Sequence, residues 1–281
     1  MKKLIAVLGL GALVFLATGC DKLKSRDAIN KGIQSYRNAR YTEAVEFFKR
    51  SVALDPTNVN GKLYLATAYM TQYVPGSDDP KNVQFATAAR DQFQAVLKDN
   101  PNDKTALASL ASLSYQEAQG IPKMEDKVKK LDDSKEWYEK LIAADPQNKE
   151  GYYSLAVIDW LKWYPNLMTA RAEMGMKPED PGPLKDKKVK AELKEKYEPL
   201  IDDGIAKLNQ AIKLDPNYDD AMAYLNLMYR EKADVECDDL AARQEDLKTA
   251  DGWVDKTLAT KKAKAEKQPG QQGGITMDQP K

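Results

Sequence analysis

Apolar residues follow two different patterns along this chain. From Leu4 to Ala17 they form a continuous run of apolar and small residues, preceded by Lys2 and Lys3. From about residue 25 they recur with a period near 3.6, in stretches separated by clusters of Pro, Asn and Asp. That period is typical of amphipathic helices, and such clusters end one helix and cap the next. The pattern therefore predicts an all-α chain of successive helices behind a short apolar segment.

The clusters that end helices share a common sequence, Leu-Asp-Pro or a near version of it. The copies are Leu54-Asp55-Pro56, Asp99-Asn100-Pro101, Ala144-Asp145-Pro146 and Leu214-Asp215-Pro216. Before the first copy, Ala44, Phe48 and Pro56 have the spacing A-x3-F…P, and the small residue Gly32 lies on the preceding helix. This stretch resembles the tetratricopeptide repeat (TPR), a helix-turn-helix unit of 34 residues.

The resemblance covers nearly all of residues 25–264, although the later repeats depart from the pattern. It implies a right-handed α-solenoid of about five TPR-like helix-turn-helix repeats with inserted intra-repeat loops. The fifth repeat lacks Asp-Pro and is expected to cap the array, and the low-complexity tail 265–281 is predicted to be disordered. The predicted repeats are 25–58, 59–103, 104–148, 149–218 and 219–264.

Three repeats are longer than the 34-residue frame. The extra residues fall near 73–80, 120–122 and 165–203, within the intra-repeat turns. In a solenoid these turns lie along one edge, which is either a binding face or a place that tolerates insertions. A loop predicted at 165–185 favours binding, because it combines apolar side chains with rigid prolines. Its candidate contacts are Met168, Met174 and Met176.

The N-terminal segment has the pattern of a secretory signal, with two lysines, an apolar run and small residues at the expected cleavage site. Ala17-Thr18-Gly19-Cys20 resembles the lipobox of bacterial lipoprotein precursors. The resemblance implies that residues 1–19 are removed, that Cys20 carries diacylglycerol and palmitate, and that residues 20–24 form a tether. A plain signal peptide or an uncleaved anchor is the alternative. Asp21 favours the inner membrane by the enterobacterial rule, which other bacteria need not follow.

The TPR resemblance also indicates which side chains face the concave groove formed by the first helices of the repeats. These side chains are mostly apolar and aromatic, and the clamp residues of chaperone-binding TPR proteins are absent. Such a groove suits an amphipathic helix or an extended apolar peptide. The alternative is that these side chains only pack between neighbouring helices. The candidates are Tyr36, Leu63, Met70, Tyr115, Tyr153 and Trp160.

An aromatic cluster, Trp160-x-x-Trp163-Tyr164-Pro165, is predicted to end the first helix of the fourth repeat. It is either a contact for a partner protein or the surface on which the 165–185 loop folds. We favour the second interpretation.

The composition excludes several kinds of chemistry. The chain has no histidine, which rules out Ser-His or Cys-His nucleophile pairs and histidine-bound metals. Its 43 basic and 43 acidic residues balance, which argues against nucleic acid as a partner. Acidic pairs such as Asp78-Asp79, Asp132-Asp133 and Asp202-Asp203 are expected at helix starts, where they cap. We therefore predict no cofactor, no metal and no catalysis.

These features together predict a membrane-anchored, non-enzymatic TPR scaffold that binds a partner protein or peptide. The resemblance to TPR lipoproteins implies a role in assembly or maintenance of the bacterial cell envelope, on the periplasmic side. One alternative is a structural protein that assembles with itself, so the oligomeric state stays open. The other is an enzyme that works through carboxylates or lysines of the fourth-repeat loop, with Glu173, Glu179 and Asp180 as its candidates.

Overall fold

A computed structural model describes residues 2–237 and 239–267, with side chains described from residue 20 onward. Every regular element in this part of the chain is α-helical. The end of the predicted tail, residues 268–281, lies outside it. The helices are α1 (Lys2–Arg37), α2 (Tyr41–Leu54), α3 (Val59–Met70), α4 (Pro80–Asp99), α5 (Lys104–Gln119), α6 (Met124–Ala144), α7 (Lys149–Glu173), α8 (Lys187–Leu214), α9 (Asp219–Val235) and α10 (Leu240–Lys267).

The chain forms two compact units, Met1–Pro146 and Gln147–Lys281. In the first unit α1 packs on α2, α3 on α4 and α5 on α6. In the second unit α7 packs on α8 and α9 on α10. Each pair also packs on the next pair of its own unit, α2 against α3, α4 against α5 and α8 against α9. The predicted all-α fold of TPR-like helical repeats is confirmed.

The sequence clusters that were expected to end helices do so. Helices α2 and α8 stop at the leucine of Leu-Asp-Pro, and the next helix begins after a short turn. The side-chain oxygens of Asn58, Asp103 and Asn148 each accept the backbone N–H three residues later, at 2.8–3.1 Å. Each cap satisfies a backbone donor that the first turn of a helix leaves unpaired.

The acidic pairs divide into two groups. Asp79 caps α4 as predicted, because its carboxylate accepts the N–H of Lys81 at 2.8 Å. The helix-start prediction is wrong for Asp132-Asp133 and Asp202-Asp203, which lie exposed in the middle of α6 and α8. In each helix the pair lies on the solvent-facing side, and the flanking residues Leu131, Ser134, Ile201 and Gly204 are buried.

Small residues allow the two helices of the first pair to approach closely. A Cβ added to Gly32 would overlap the ring of Phe48, and both Phe48 and Ala44 are buried. Because interiors are close-packed, this contact leaves no room for a larger side chain at position 32.

The first part of the predicted loop 165–185 is helical, which corrects the expectation that α7 ends at Pro165. Helix α7 continues to Glu173 and α8 begins at Lys187, so only residues 174–186 connect them. Proline removes one backbone hydrogen bond from a helix. Here Trp163, Leu167 and Ala170 continue one buried face past the proline. The apolar area that they bury outweighs the missing bond.

Candidate functional site

The second unit contains a cavity of about 520 Å³, which lies between α7, α9 and the beginning of α10. Residues 178–182 of the 174–186 connection line one side of it. We call residues 174–186 the covering loop. This volume is within the range of sites that hold small ligands or single side chains of a partner. The intra-repeat insertion of the fourth pair thus forms part of a concave site.

The cavity has apolar walls and charged groups at its base and rim. Tyr164, Leu167 and Met168 of α7 face it from one side, and Leu227 of α9 and Leu247 of α10 from the other. Leu227 is 39% exposed, so an apolar side chain is available at the surface. The charged groups that line the cavity are Arg171, Glu179, Asp180, Arg230, Glu231, Asp234 and Arg243.

Glu231 is a buried carboxylate held by two tryptophans. Its Oε1 accepts the indole N–H of Trp160 at 2.9 Å, and its Oε2 accepts that of Trp163 at 2.8 Å. Burial raises the pKa of Glu231 to about 7, the indole bonds oppose this shift, and the nearby charge of Asp234 adds to it. Neither indole carries a charge, so the ionised form has no cation to balance it.

Asp234, one turn further along α9, has a charged partner. Nη1 of Arg171 donates to Oδ2 of Asp234 at 2.7 Å, and the Arg171 side chain is almost fully buried. Burial raises the pKa of Asp234, although Arg171 and Arg243 both act to lower it. Arg171 also donates to the backbone carbonyls of Lys177 and Asp180. One buried guanidinium therefore connects α7, α9 and the covering loop.

Further contacts fix the covering loop over the cavity. The N–H of Leu184 donates to the carbonyl of Asp234 at 3.1 Å, and Leu184 itself is buried. Gly182 approaches Asp234 so closely that an added Cβ would overlap the carboxylate. Nη2 of Arg243 donates to the carbonyl of Gly182 at 3.1 Å. These bonds give the cavity a defined wall.

Arg243 has one unsatisfied donor. Its Nε is buried and has no hydrogen-bond partner among the described residues. Buried donors are almost always paired, so this N–H is an exception to the general rule.

The four predicted groove residues of the first unit are all half-buried. The hydroxyls of Tyr36 and Thr71 form a hydrogen bond of 2.8 Å, and the ring of Tyr36 packs edge-on against Tyr41. Leu63 and Met70 pack against the core formed by α3, α4 and α5. Burial raises the pKa of Tyr115. The structure brings Leu63 and Met70 to one core, and the binding role of all four remains a prediction.

The two predicted groove residues of the second unit lie between α7 and α9. The rings of Tyr153 and Trp160 both pack edge-on against Tyr224, with centroids 5.6 and 5.5 Å apart. These contacts match the alternative in which the aromatic residues pack between helices. Trp160 also stacks on Tyr164 and donates to Glu231, which places it directly beneath the cavity.

The aromatic cluster of α7 supports the covering loop, the interpretation favoured from the sequence. Trp163 is fully buried and shares a core with Met176 and Leu184 of that loop. The predicted loop contacts need correction in two cases. Met168 lies on α7 and lines the cavity, and Met176 is only 6% exposed because it packs into this core. Met174, at the end of α7, is half-buried against the same core.

The candidate enzyme residues of the fourth-repeat loop do not form a cluster. Glu173 and Glu179 are exposed, and the carboxylate of Asp180 accepts the backbone N–H of Lys177 at 2.7 Å. Glu231 and Asp234, the two acidic groups that α9 contributes to the cavity, were not predicted from the sequence. Their spacing on α9, three residues apart and next to apolar positions, is the only sequence signal for them.

The two cysteines form no disulfide with each other and lie in different surroundings. Cys20 is exposed on α1, and Cys237 is partly buried, with its Sγ 3.6 Å from the carbonyl of Val235. In the part of the chain that the structure describes, no helix combines the length and apolar character needed to cross a membrane. The predicted lipid attachment at Cys20 remains a prediction.

No family model and no curated protein matches this chain. Solved structures do resemble it. Two crystal structures of MamA, at 16% and 15% identity, cover 84% and 90% of this chain and 96% and 97% of their own, each with a TM-score of 0.52. A third structure, a thermophilic TPR protein of Thermus thermophilus, is 14% identical, covers 85% of this chain and 98% of its own, and has a TM-score of 0.44. The likeness to MamA shows that this chain shares its all-α fold.

Proposed function

We propose that this chain is a lipid-anchored, non-enzymatic protein that binds a segment of a partner protein through the cavity of its second unit. The observation that carries the proposal is the cavity itself. It lies between helices of successive TPR-like pairs, has apolar walls with an exposed Leu227, and is bounded by an insertion that is held rigidly in place. Rigid concave sites with an apolar surface and few polar groups are typical of binding sites.

Acid–base catalysis is the second candidate, because a carboxyl group with a pKa of about 7 suits proton transfer near neutral pH. Three features favour binding instead. Both oxygens of Glu231 already accept an indole N–H, and Asp234 is held by Arg171. The third is that Glu179, the carboxylate at the rim, extends into solvent. The cavity thus presents fixed charges to a ligand.

The anchoring part of the proposal rests on the lipobox resemblance and on the exposure of Cys20. It places the chain on the periplasmic side of a bacterial envelope membrane, in envelope assembly or maintenance. Replacing Cys20 by Ser should abolish incorporation of a labelled fatty acid and release the protein from the membrane fraction. Cys237→Ser is the matched control and should change neither. Unchanged labelling of the Cys20 variant would refute lipid attachment at this residue.

The binding part is tested at the mouth of the cavity. Leu227→Glu places a charge on the exposed apolar wall and should abolish capture of partners from envelope extract. Leu258→Glu changes another exposed leucine, on α10, and should leave capture unchanged. If the Leu227 variant captures partners as well as the Leu258 variant and the unmodified protein do, the cavity is not the binding site. A mass that rises with concentration and falls in the Leu227 variant would instead show self-assembly.

A further inference from the structure

We infer that the cavity recognises a Lys or Arg side chain of the partner segment, whose cationic group pairs with the carboxylate of Glu231. This inference rests on the proposed function and names the partner chemistry for the same site. It follows from two observations: one carboxylate without a cation, and walls that match an alkyl stem.

The two carboxylates that α9 contributes to the cavity differ in their partners. Asp234 pairs with Arg171 at 2.7 Å. On the rim, Arg230 pairs with Asp251 at 2.5 Å. Glu231 accepts only the two neutral indoles, and no Lys or Arg of the described residues forms an ion pair with it. A carboxylate in this position is stabilised when a ligand brings a cation, because buried charges require compensation.

The walls suit the rest of a basic side chain. Lys and Arg carry apolar stems that pack along apolar surfaces while the charged end reaches a polar group. Tyr164, Met168 and Leu227 provide that surface between the mouth of the cavity and Glu231. An anionic ligand group at Glu231 would lie beside a carboxylate that no cation balances. The arginines that line the cavity are already engaged, Arg171 with Asp234, Arg230 with Asp251 and Arg243 with the carbonyl of Gly182.

The test compares two peptides that differ in one charge. The probes are N-acetyl-Ala-Leu-Lys-Leu-Ala-amide and the same peptide with norleucine in place of lysine, titrated calorimetrically into the full-length protein. We expect the lysine peptide to bind at least tenfold more tightly. Glu231→Gln should remove this preference, and the matched control Glu173→Gln, which changes an exposed carboxylate outside the cavity lining, should keep it. Equal affinity for both peptides, no binding of the lysine peptide at millimolar concentration, or a preference that survives Glu231→Gln would each overturn the inference.

A measurement on the unmodified protein covers the case in which the variant does not fold. With a pKa of about 7, Glu231 is mostly protonated at pH 6 and mostly ionised at pH 8, so affinity for the lysine peptide should rise about tenfold over this range. The charged groups around it are Arg171 on α7, Asp180 on the covering loop, Asp234 on α9 and Arg243 on α10. The norleucine peptide should show no such rise. A rise of equal size for both peptides would contradict the pairing.

The two proposals fail in different ways. If Leu227→Glu abolishes partner capture while Glu231→Gln leaves the lysine preference intact, the cavity binds a partner by other means and this inference is wrong. If Leu227→Glu leaves capture unchanged, the proposed function itself is wrong.

Discussion

Glu231 should make the stability of the second unit fall as pH rises. Its pKa is about 7 in the folded chain, against an ordinary value of 4.5. Between these two values the folded state keeps a proton that the unfolded state has lost, so the free energy of unfolding decreases with pH. The stabilising contribution is fully present below about pH 4.5 and is lost as pH rises through 7.

The magnitude follows from the size of the pKa shift. Because the pKa of this carboxyl is raised from 4.5 to about 7, the free energy of unfolding falls by about 3 kcal/mol once the pH has passed through both values. Glu231→Gln removes the titration but places an amide N–H₂ against one indole donor, which costs about 1 kcal/mol. We therefore expect the variant to be about as stable as the unmodified protein at pH 5 and more stable by about 2 kcal/mol at pH 8.

Urea unfolding followed by tryptophan fluorescence is the assay, at pH 5, 6, 7 and 8. Three of the four tryptophans, Trp160, Trp163 and Trp253, lie in the second unit, so the signal reports mainly on it. The control, Glu179→Gln, changes an exposed carboxylate and should follow the unmodified protein. Parallel stability curves for the Glu231 variant and the unmodified protein would refute the assignment of a raised pKa to this carboxyl.

Three further substitutions test the packing. Arg171→Met leaves Asp234 buried without its cation and should lower the free energy of unfolding in urea by about 3–5 kcal/mol. Gly32→Ala should lower the thermal midpoint of the first unit, measured by circular dichroism, because overlap with Phe48 costs about 1–3 kcal/mol and outweighs a helix-propensity gain of about 1 kcal/mol. Asn58→Ala removes a helix cap and should cost about 1 kcal/mol in the same assay. An increase in stability for any of them would contradict the corresponding contact.

The fold was predictable from the sequence because its signals are local. After three of the four clusters an Asn or Asp caps the next helix by accepting the N–H of the residue three positions later, so a short window contains both partners. The end of α7 was mispredicted because Pro165 is a local signal for a helix end, and packing against helices far away in the sequence overrides it. Trp163 and Leu167 are buried in a core that includes residues of α8 and α9, and this packing keeps the helix intact beyond the proline.

The cavity was less predictable because its groups meet across long stretches of chain. Glu231 is 71 residues from Trp160, and Asp234 is 63 from Arg171. Seen alone, the two acids of α9 look like ordinary surface carboxylates of an amphipathic helix. The aromatic cluster did indicate the region, and its predicted role in supporting the loop agrees with the buried contacts of Trp163.

The energetic cost of Glu231 bears directly on its role. A carboxylate buried against two neutral indoles lowers stability at neutral pH, and a neutral side chain there would raise it. Proteins give up stability mainly at functional sites, where a strained or unbalanced group is needed for binding. Two measurements on Glu231→Gln should therefore change in opposite directions at pH 8: the free energy of unfolding rises, and the preference for the lysine peptide disappears. A purely structural carboxylate would lose its indole bonds on substitution, so stability would fall and peptide binding would not change.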